Sequence, residues 1–448
     1  MTTLHIESGG TRNERGAVLI QVAVALVALL ALSSFVFDYG VMWVSRGQAQ
    51  NSADAGALSG AIALAFDSST DFDAARAKAI ALARRNRVWT QEPDITGADV
   101  TFPPCPPGAP GLPDTCVKVD VFRNQRPGGN PLPVFFSRVV GLTDQGVRAT
   151  ATAQIITGDT TDCLKPWAII DRWDEYDTDT NGPEAEYPNP DPDFLPSSTF
   201  DRYSTGQGSS PPQENDTYVR PTPGPTGSPG TGFRLPEDEG RQFGIKVDSN
   251  TSSTVSAGWF RAIRLPRLDG QNGGDVYREN ITSCGGLPSS YASPDTVCPT
   301  DIGNDDRAYW AERGCYATEP GNKVGPTQQG IEDLVARDPG ASWGAGGVTG
   351  SSFSPATSSP RVVPIGVIDI DDFLSQDPSG ANGVLRMVNI YGFFIEGMGD
   401  VDEATGQLTL RSGGKSVIGR IMTIPSMARG TSSLPNSASF LRSVILVR

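Results

Sequence analysis

Histidine is almost absent: the 448 residues contain one, His5, which precedes the first long apolar stretch. With that stretch across a membrane, the region beyond it can form no Ser-His-Asp triad, Cys-His dyad or His-ligated zinc site. Carboxylate-only chemistry stays open as a distant reading, but most enzyme classes lose their usual general base. Basic charge is also short, with 36 Lys+Arg against 51 Asp+Glu and a formal charge of -15, which argues against nucleic acid as a partner. No cysteine precedes the apolar stretch. All six, Cys105, Cys116, Cys163, Cys284, Cys298 and Cys315, follow it, as an oxidising exterior allows.

Charge is missing altogether from residues 17–37, AVLIQVAVALVALLALSSFVF, of which thirteen are Val, Leu, Ile or Phe. At about 1.5 Å per residue this segment covers roughly 30 Å, the hydrocarbon thickness of a bilayer. A cleaved secretory signal has a shorter core ending at small residues, whereas this run ends in Phe35, Val36 and Phe37, so the spacing predicts an uncleaved membrane helix. Arg12 and Arg15 precede it and Asp38 follows, which places the first 16 residues in the cytoplasm and the bulk of the chain outside.

The helix is expected to continue. Residues 38–66 lack proline, are rich in alanine and carry Ala49, Ala53, Ala57, Ala61 and Ala65 at a spacing of four, with Gly56 and Gly60 beside them. Such a stripe admits a closely packed neighbour, either this chain's own domain or a partner helix. A second helix is signalled by DFDAARAKAIALARRNR, acidic at its start and basic at its end, in keeping with the helix dipole. Val117, Val119 and Val121, then Val147, Ala149, Ala151, Ala153 and Ile155, alternate with polar residues as half-buried strands do, and VFFSRVVG between them reads as a short buried helix.

Residues 158–232 read as an acidic loop followed by a Pro/Gly-rich linker. From 233 to 448 the segments FGIKV, VSAGWFRAIRL, RVVPIGVIDI, GVLRMVNIYGFFIEGM, GQLTLR, SVIGRIMTI and SFLRSVILVR read as strands, with IEDLVARD as one short helix. The expected fold class is therefore α+β: a transmembrane helix (17–37) extending into a long helix and small α/β domain (38–157), the linker, and a β-rich domain (233–448).

Three constellations invite a chemical reading. Asp177, Asp179, Asn181 and Gly182 fit the opening of a D-x-D-x-N-G calcium loop, in which alternate side-chain oxygens face one cation; Pro188 stands where the closing glutamate belongs, and an acidic solvated turn is the plainer reading. DSNTS at 248–252 and SGGKS at 412–416 approach a cation motif and a P-loop respectively and read better as hairpin turns. Cys105 and Cys116 bracket a proline-rich loop and are expected to bond to each other, while the other four cysteines leave three pairings open.

The stretch ERGAVLIQVAVALVALLALSSFVFDYGVMWVSRGQAQNSADAGALSGA resembles the N-terminal segment of TadE/TadG-like proteins of bacterial Flp (tight adherence) pilus assembly. The residues carrying the likeness are Arg15, Gly16, Asp38, Gly40, Gln48, Gln50, Asn51, Ala53, Asp54, Ala55, Ala57 and Leu58, with Gly56 where alanine is usual. The resemblance implies a pilin-like helix and a non-enzymatic role in pilus assembly or anchoring at the bacterial inner membrane. It also implies other pilus-assembly or pilin subunits and the lipid bilayer as partners. It raises a processing step too: prepilin-type cleavage would fall between Gly16 and Ala17 and prefers glutamate where Gln21 stands, so the uncleaved form is expected. The alternative is a processed minor pilin or a calcium-dependent surface adhesin.

Overall fold

In the computed structural model, one helix, α1 (Arg15–Phe66), takes up 52 residues and spans roughly 78 Å. The structure describes residues 15–67, 71–105, 116–174, 203, 216–224, 226–246, 259–267, 273–285, 287–321, 323–344, 346–376, 383–401, 407–427 and 434–447. Helix α1 obeys two rules in succession. Over 18–32 its apolar side chains stand exposed on every side, whereas beyond Asp38 one stripe, Val41, Ser45, Ala49, Ala53, Ala57, Ala61 and Leu64, is buried.

What buries the stripe is the chain's own fold. Helix α2 (Phe72–Arg85) starts where Asp71 accepts a hydrogen bond from the Ala74 N–H at 2.8 Å, and it lays Ala75, Ala79 and Ala83 against α1. Alanine and glycine lose no side-chain entropy there and let the backbones approach closely. A Cβ added at Gly60 would lie 2.9 Å from Val117 Cγ1 and 3.2 Å from Ala79 Cβ. The other wall is a five-stranded sheet in the order Val100–Thr101, Cys116–Arg123, Val147–Thr157, Leu441–Val447, Ile424–Pro425. Val117, Val119, Val121, Ala149, Ala151, Ala153 and Ile155 face the helices, as their alternation requires. VFFSRVVG forms a single 3-10 turn, Ser137–Val140, where the sequence suggests a short helix.

The second sheet has eight strands. Its main order is Gln242–Lys246, Ser416–Met422, Val384–Val401, Val362–Ile368, Trp167–Ile170, Phe260–Ala262, with Leu408–Leu410 and Cys315–Ala317 also pairing with the long Val384–Val401 strand. One of its faces is covered by α3 (Gly274–Thr282) and α5 (Val324–Arg337), which meet where Gly330 leaves room for Ile281. Two shorter helices are α4 (Arg307–Ala311) and α6 (Ile370–Gln376), so among the described residues IEDLVARD falls at the end of one of four helices in this region. The chain is α+β with a β-rich C-terminal region.

Two connections depart from a reading of the chain as beads in a row. Trp167–Ile170, within the stretch expected as loop and linker, is a fully buried strand running parallel to Val362–Ile368. Four apolar residues are too few to show a period, which is why the sequence does not announce it. The terminal strand Leu441–Val447 leaves the second region and pairs antiparallel with Val147–Thr157 over six residues, from Arg442 opposite Thr157 to Val447 opposite Thr152.

Candidate functional site

Residues Gly16 and Ala17 lie in the first turn of α1, and Gln21, one turn on, is exposed like its apolar neighbours. The helix is long and apolar enough to cross a membrane. At the far end of its exposed half the aromatic side chains line up at intervals of four: Phe35 and Tyr39 stack with ring centroids 5.4 Å apart, and Tyr39 and Trp43 follow at 6.3 Å. Tyr39 and Trp43 remain 45% and 66% exposed, an arrangement suited to the water boundary of a bilayer.

Asp38 sits where the exposed half ends, and it is buried. Its Oδ1 accepts the Phe135 N–H at 2.8 Å, and its Oδ2 accepts the Phe136 N–H at 3.1 Å, the Ser137 N–H at 2.7 Å and the Ser137 hydroxyl at 2.6 Å. Successive N–H groups at the start of a 3-10 turn form a concave anion site, and the carboxylate fills it. Burial pushes the carboxyl pKa up, but the Ser137 hydroxyl and the N–H groups of Phe135, Ser137 and Phe136 outweigh it and hold the value at about 2. The Phe37 ring lies 5.3 Å from that of Phe136, so the loop touches α1 through an apolar contact beside the charged one.

Further along, the polar residues of the GQAQNSAD run fasten α1 to the rest of the fold. Gln48 Oε1 accepts the Trp89 N–H at 2.7 Å, where Trp89 and Thr90 both have positive φ. Gln50 donates to Asp54 at 2.7 Å and to the Thr150 carbonyl at 3.2 Å, and Ser52 donates to the Ala83 carbonyl at 2.8 Å. These side chains hold helix, turn and sheet together.

Cys105 and Cys116 are joined, as are Cys163 with Cys284 and Cys298 with Cys315. Asp177, Asp179 and Asn181, and likewise the run at 248–252, lie outside the described residues. Among the described residues no group of three or more His, Cys, Asp or Glu is arranged to hold a metal ion. Residues 412–416 carry a turn at Ser412 and Gly413 between two strands, with Gly413 at φ 71°.

One acidic pair escaped the sequence reading. Asp171 and Asp369 end the neighbouring parallel strands Trp167–Ile170 and Val362–Ile368, each directly after an apolar run, AII and GVI followed by D. Burial and the nearby Asp369 charge raise the Asp171 pKa to about 6, against hydrogen bonds from the Tyr391 hydroxyl (2.8 Å), the Arg172 N–H (3.0 Å) and the Tyr218 hydroxyl (3.1 Å). Asp369 caps α6 through the N–H groups of Asp371 and Asp372 and pairs with Arg220, which reaches Asp372 at 3.0 Å. Held by tyrosines, an arginine and a helix start, these carboxylates tie strand ends and α6 together.

Residues 16–63 match the family model described as "Putative Flp pilus-assembly TadE/G-like". The matched segment takes in the exposed apolar half of α1, Asp38, the Gln48 to Asp54 fastenings and most of the alanine stripe. No curated protein and no solved structure matches the chain.

Proposed function

We propose that this chain is a non-enzymatic, membrane-anchored component of Flp/Tad-type pilus assembly. Helix α1 crosses the bacterial inner membrane once, and the two sheets stand on its outer side, available to other pilus-assembly or pilin subunits. The observation that carries the reading is the change of rule along α1. It is apolar and bare over about a bilayer thickness, then packed on its own domain with Asp38 at the transition, and the TadE/G-like match covers that transition. An anchor role also accounts for a carboxylate set engaged with tyrosines, serines, arginines and backbone N–H groups.

The test is a strain lacking this chain, scored for pili by electron microscopy and for surface adherence. Loss of pili, restored by the full chain but not by a version whose residues 18–37 carry interspersed lysines, is expected. Normal piliation without the chain would remove the proposal. N-terminal sequencing of the mature protein separates anchor from subunit: an uncleaved start fits the anchor, whereas a start at Ala17 assigns the chain to the fibre as a minor pilin.

A further inference from the structure

We infer that the loop between the bridged residues Leu132 and Gln145 is a second membrane contact, whose tip seats Phe135 and Leu142 in the outer lipid interface beside the spanning helix. The inference rests on the reading of α1 as a membrane anchor. Asp38 directly follows the apolar run, and its carboxylate holds the N–H groups of residues 135, 136 and 137, so the loop tip is fixed at the depth where the helix leaves the hydrocarbon. The Phe37 and Phe136 rings in contact make the loop continuous with the apolar surface of the helix. Leu142 shares that level, because its N–H donates to the Ser137 carbonyl at 3.1 Å.

The exposed chemistry of the tip is that of a lipid interface. Phe135 is 55% and Leu142 56% exposed, two large apolar side chains turned away from the domain that carries them. Seating either in lipid would take about half of its apolar surface out of water. Between them Arg138 is exposed, and Arg46 is exposed on α1 about 12 Å further out. Each can meet a lipid phosphate, with Tyr39 and Trp43 completing an aromatic belt at the same boundary. A helix alone can spin about its axis and tilt within a bilayer; a helix and a loop, locked to each other by Asp38, present the ectodomain in one orientation.

The experiment uses the full chain in phosphatidylcholine/phosphatidylglycerol vesicles, with p-benzoylphenylalanine placed singly at Phe135, Leu142, Leu26 or Ile62 and lipid adducts read by mass spectrometry after irradiation. Phe135 serves the clamp through its backbone only, so Phe135→p-benzoylphenylalanine keeps the Asp38 bond. Leu26 reports the anchor, and Ile62, 49% exposed and roughly 36 Å beyond Asp38 on the same helix, reports background. Lipid adducts at 135 and 142 in yields comparable to position 26, with none at 62, are expected. Adducts at 26 with positions 135 and 142 at the level of 62, or crosslinked to protein instead, would overturn the second contact and leave the anchor standing. No lipid adduct at 26 would remove the anchor reading and this inference with it.

Discussion

Asp38→Ala is the substitution whose consequence follows most directly from geometry. It deletes one acceptor that holds four donors of a single loop, three of them backbone N–H groups. A hydrogen bond to a charged group is worth about 1.5 to 3 kcal/mol net, but water can reach the freed donors of Phe135 and Phe136, so the local loss is about 3 kcal/mol rather than the full sum. The alanine stripe and the sheets lie farther along α1, so the loss is confined to the junction. Amide hydrogen exchange on the full chain in nanodiscs should therefore show residues 135–137 exchanging about 100-fold faster, while amides of Val117–Val121 keep their protection. Acid should reproduce the effect. The folded carboxyl titrates at about 2 against an ordinary 3.8, so its contribution is complete above about pH 4 and is lost as pH falls through about 2. Unchanged exchange at 135–137 in Asp38→Ala would refute the clamp.

Other perturbations report on the remaining parts. Gly60→Leu should cost about 3 kcal/mol in denaturant unfolding, since even a Cβ there meets Val117 at 2.9 Å, and neutrality would mean that α1 and the sheet are farther apart than described. Arg361 donates to the carbonyls of Asp338, Ala341, Ile395 and Glu396, so Arg361→Ala should cost about 4 kcal/mol in thermal unfolding, and Arg361→Lys should recover only part of it. Replacing Cys163 and Cys284 by serine should destabilise by about 5 kcal/mol and replacing Cys105 and Cys116 by about 3, because the closed loops span 121 and 11 residues; the reverse order in urea titrations would contradict the pairing. Asp171 has a raised pKa, so its contribution is present below about pH 4 and declines as pH rises through about 6. Asp171→Asn should flatten the stability profile over that window.

What the sequence discloses is what local pattern encodes. The continuation of α1 to Phe66 follows from a proline-free alanine-rich run, α2 from its charge order, and the strands around Val119 and Ala151 from alternation over five residues or more. Elements of only about two periods stay silent, as the four-residue strand at Trp167 and the nine-residue α3 show. Partnerships across distance stay silent for another reason: Asp38 meets Ser137 across 99 residues and Gln48 meets Trp89 across 41, and no local propensity states where a loop returns. Asp38, Gln48, Gln50 and Asp54 could be picked out as a motif, but only their partners reveal that the motif fastens a helix to a sheet.

The return of the chain's last strand changes how the two sheets relate. The eight-stranded sheet and its helices lie between Val147–Thr157 and Leu441–Val447, which are neighbours in the first sheet, so the β-rich region is inserted between two paired strands rather than appended by a tether. The regions meet where Gly158 and Leu441 bond each other through their backbones at 2.9 Å, and again where Ser416–Met422 runs on into Ile424–Pro425 at the edge of the first sheet. The six register pairs between Leu441–Val447 and Val147–Thr157, with Val444 in the apolar layer against α1, anchor both exits of the inserted region on the first sheet. A single linker would leave the outer region free to reorient, whereas paired exits restrain it. Asp38 imposes a similar restraint midway along α1, where the exposed half gives way to the packed half, by holding the loop at residues 135–137. Under the proposed anchor role, that multiple attachment would carry orientation outward from the bilayer, which a flexible stalk would lose.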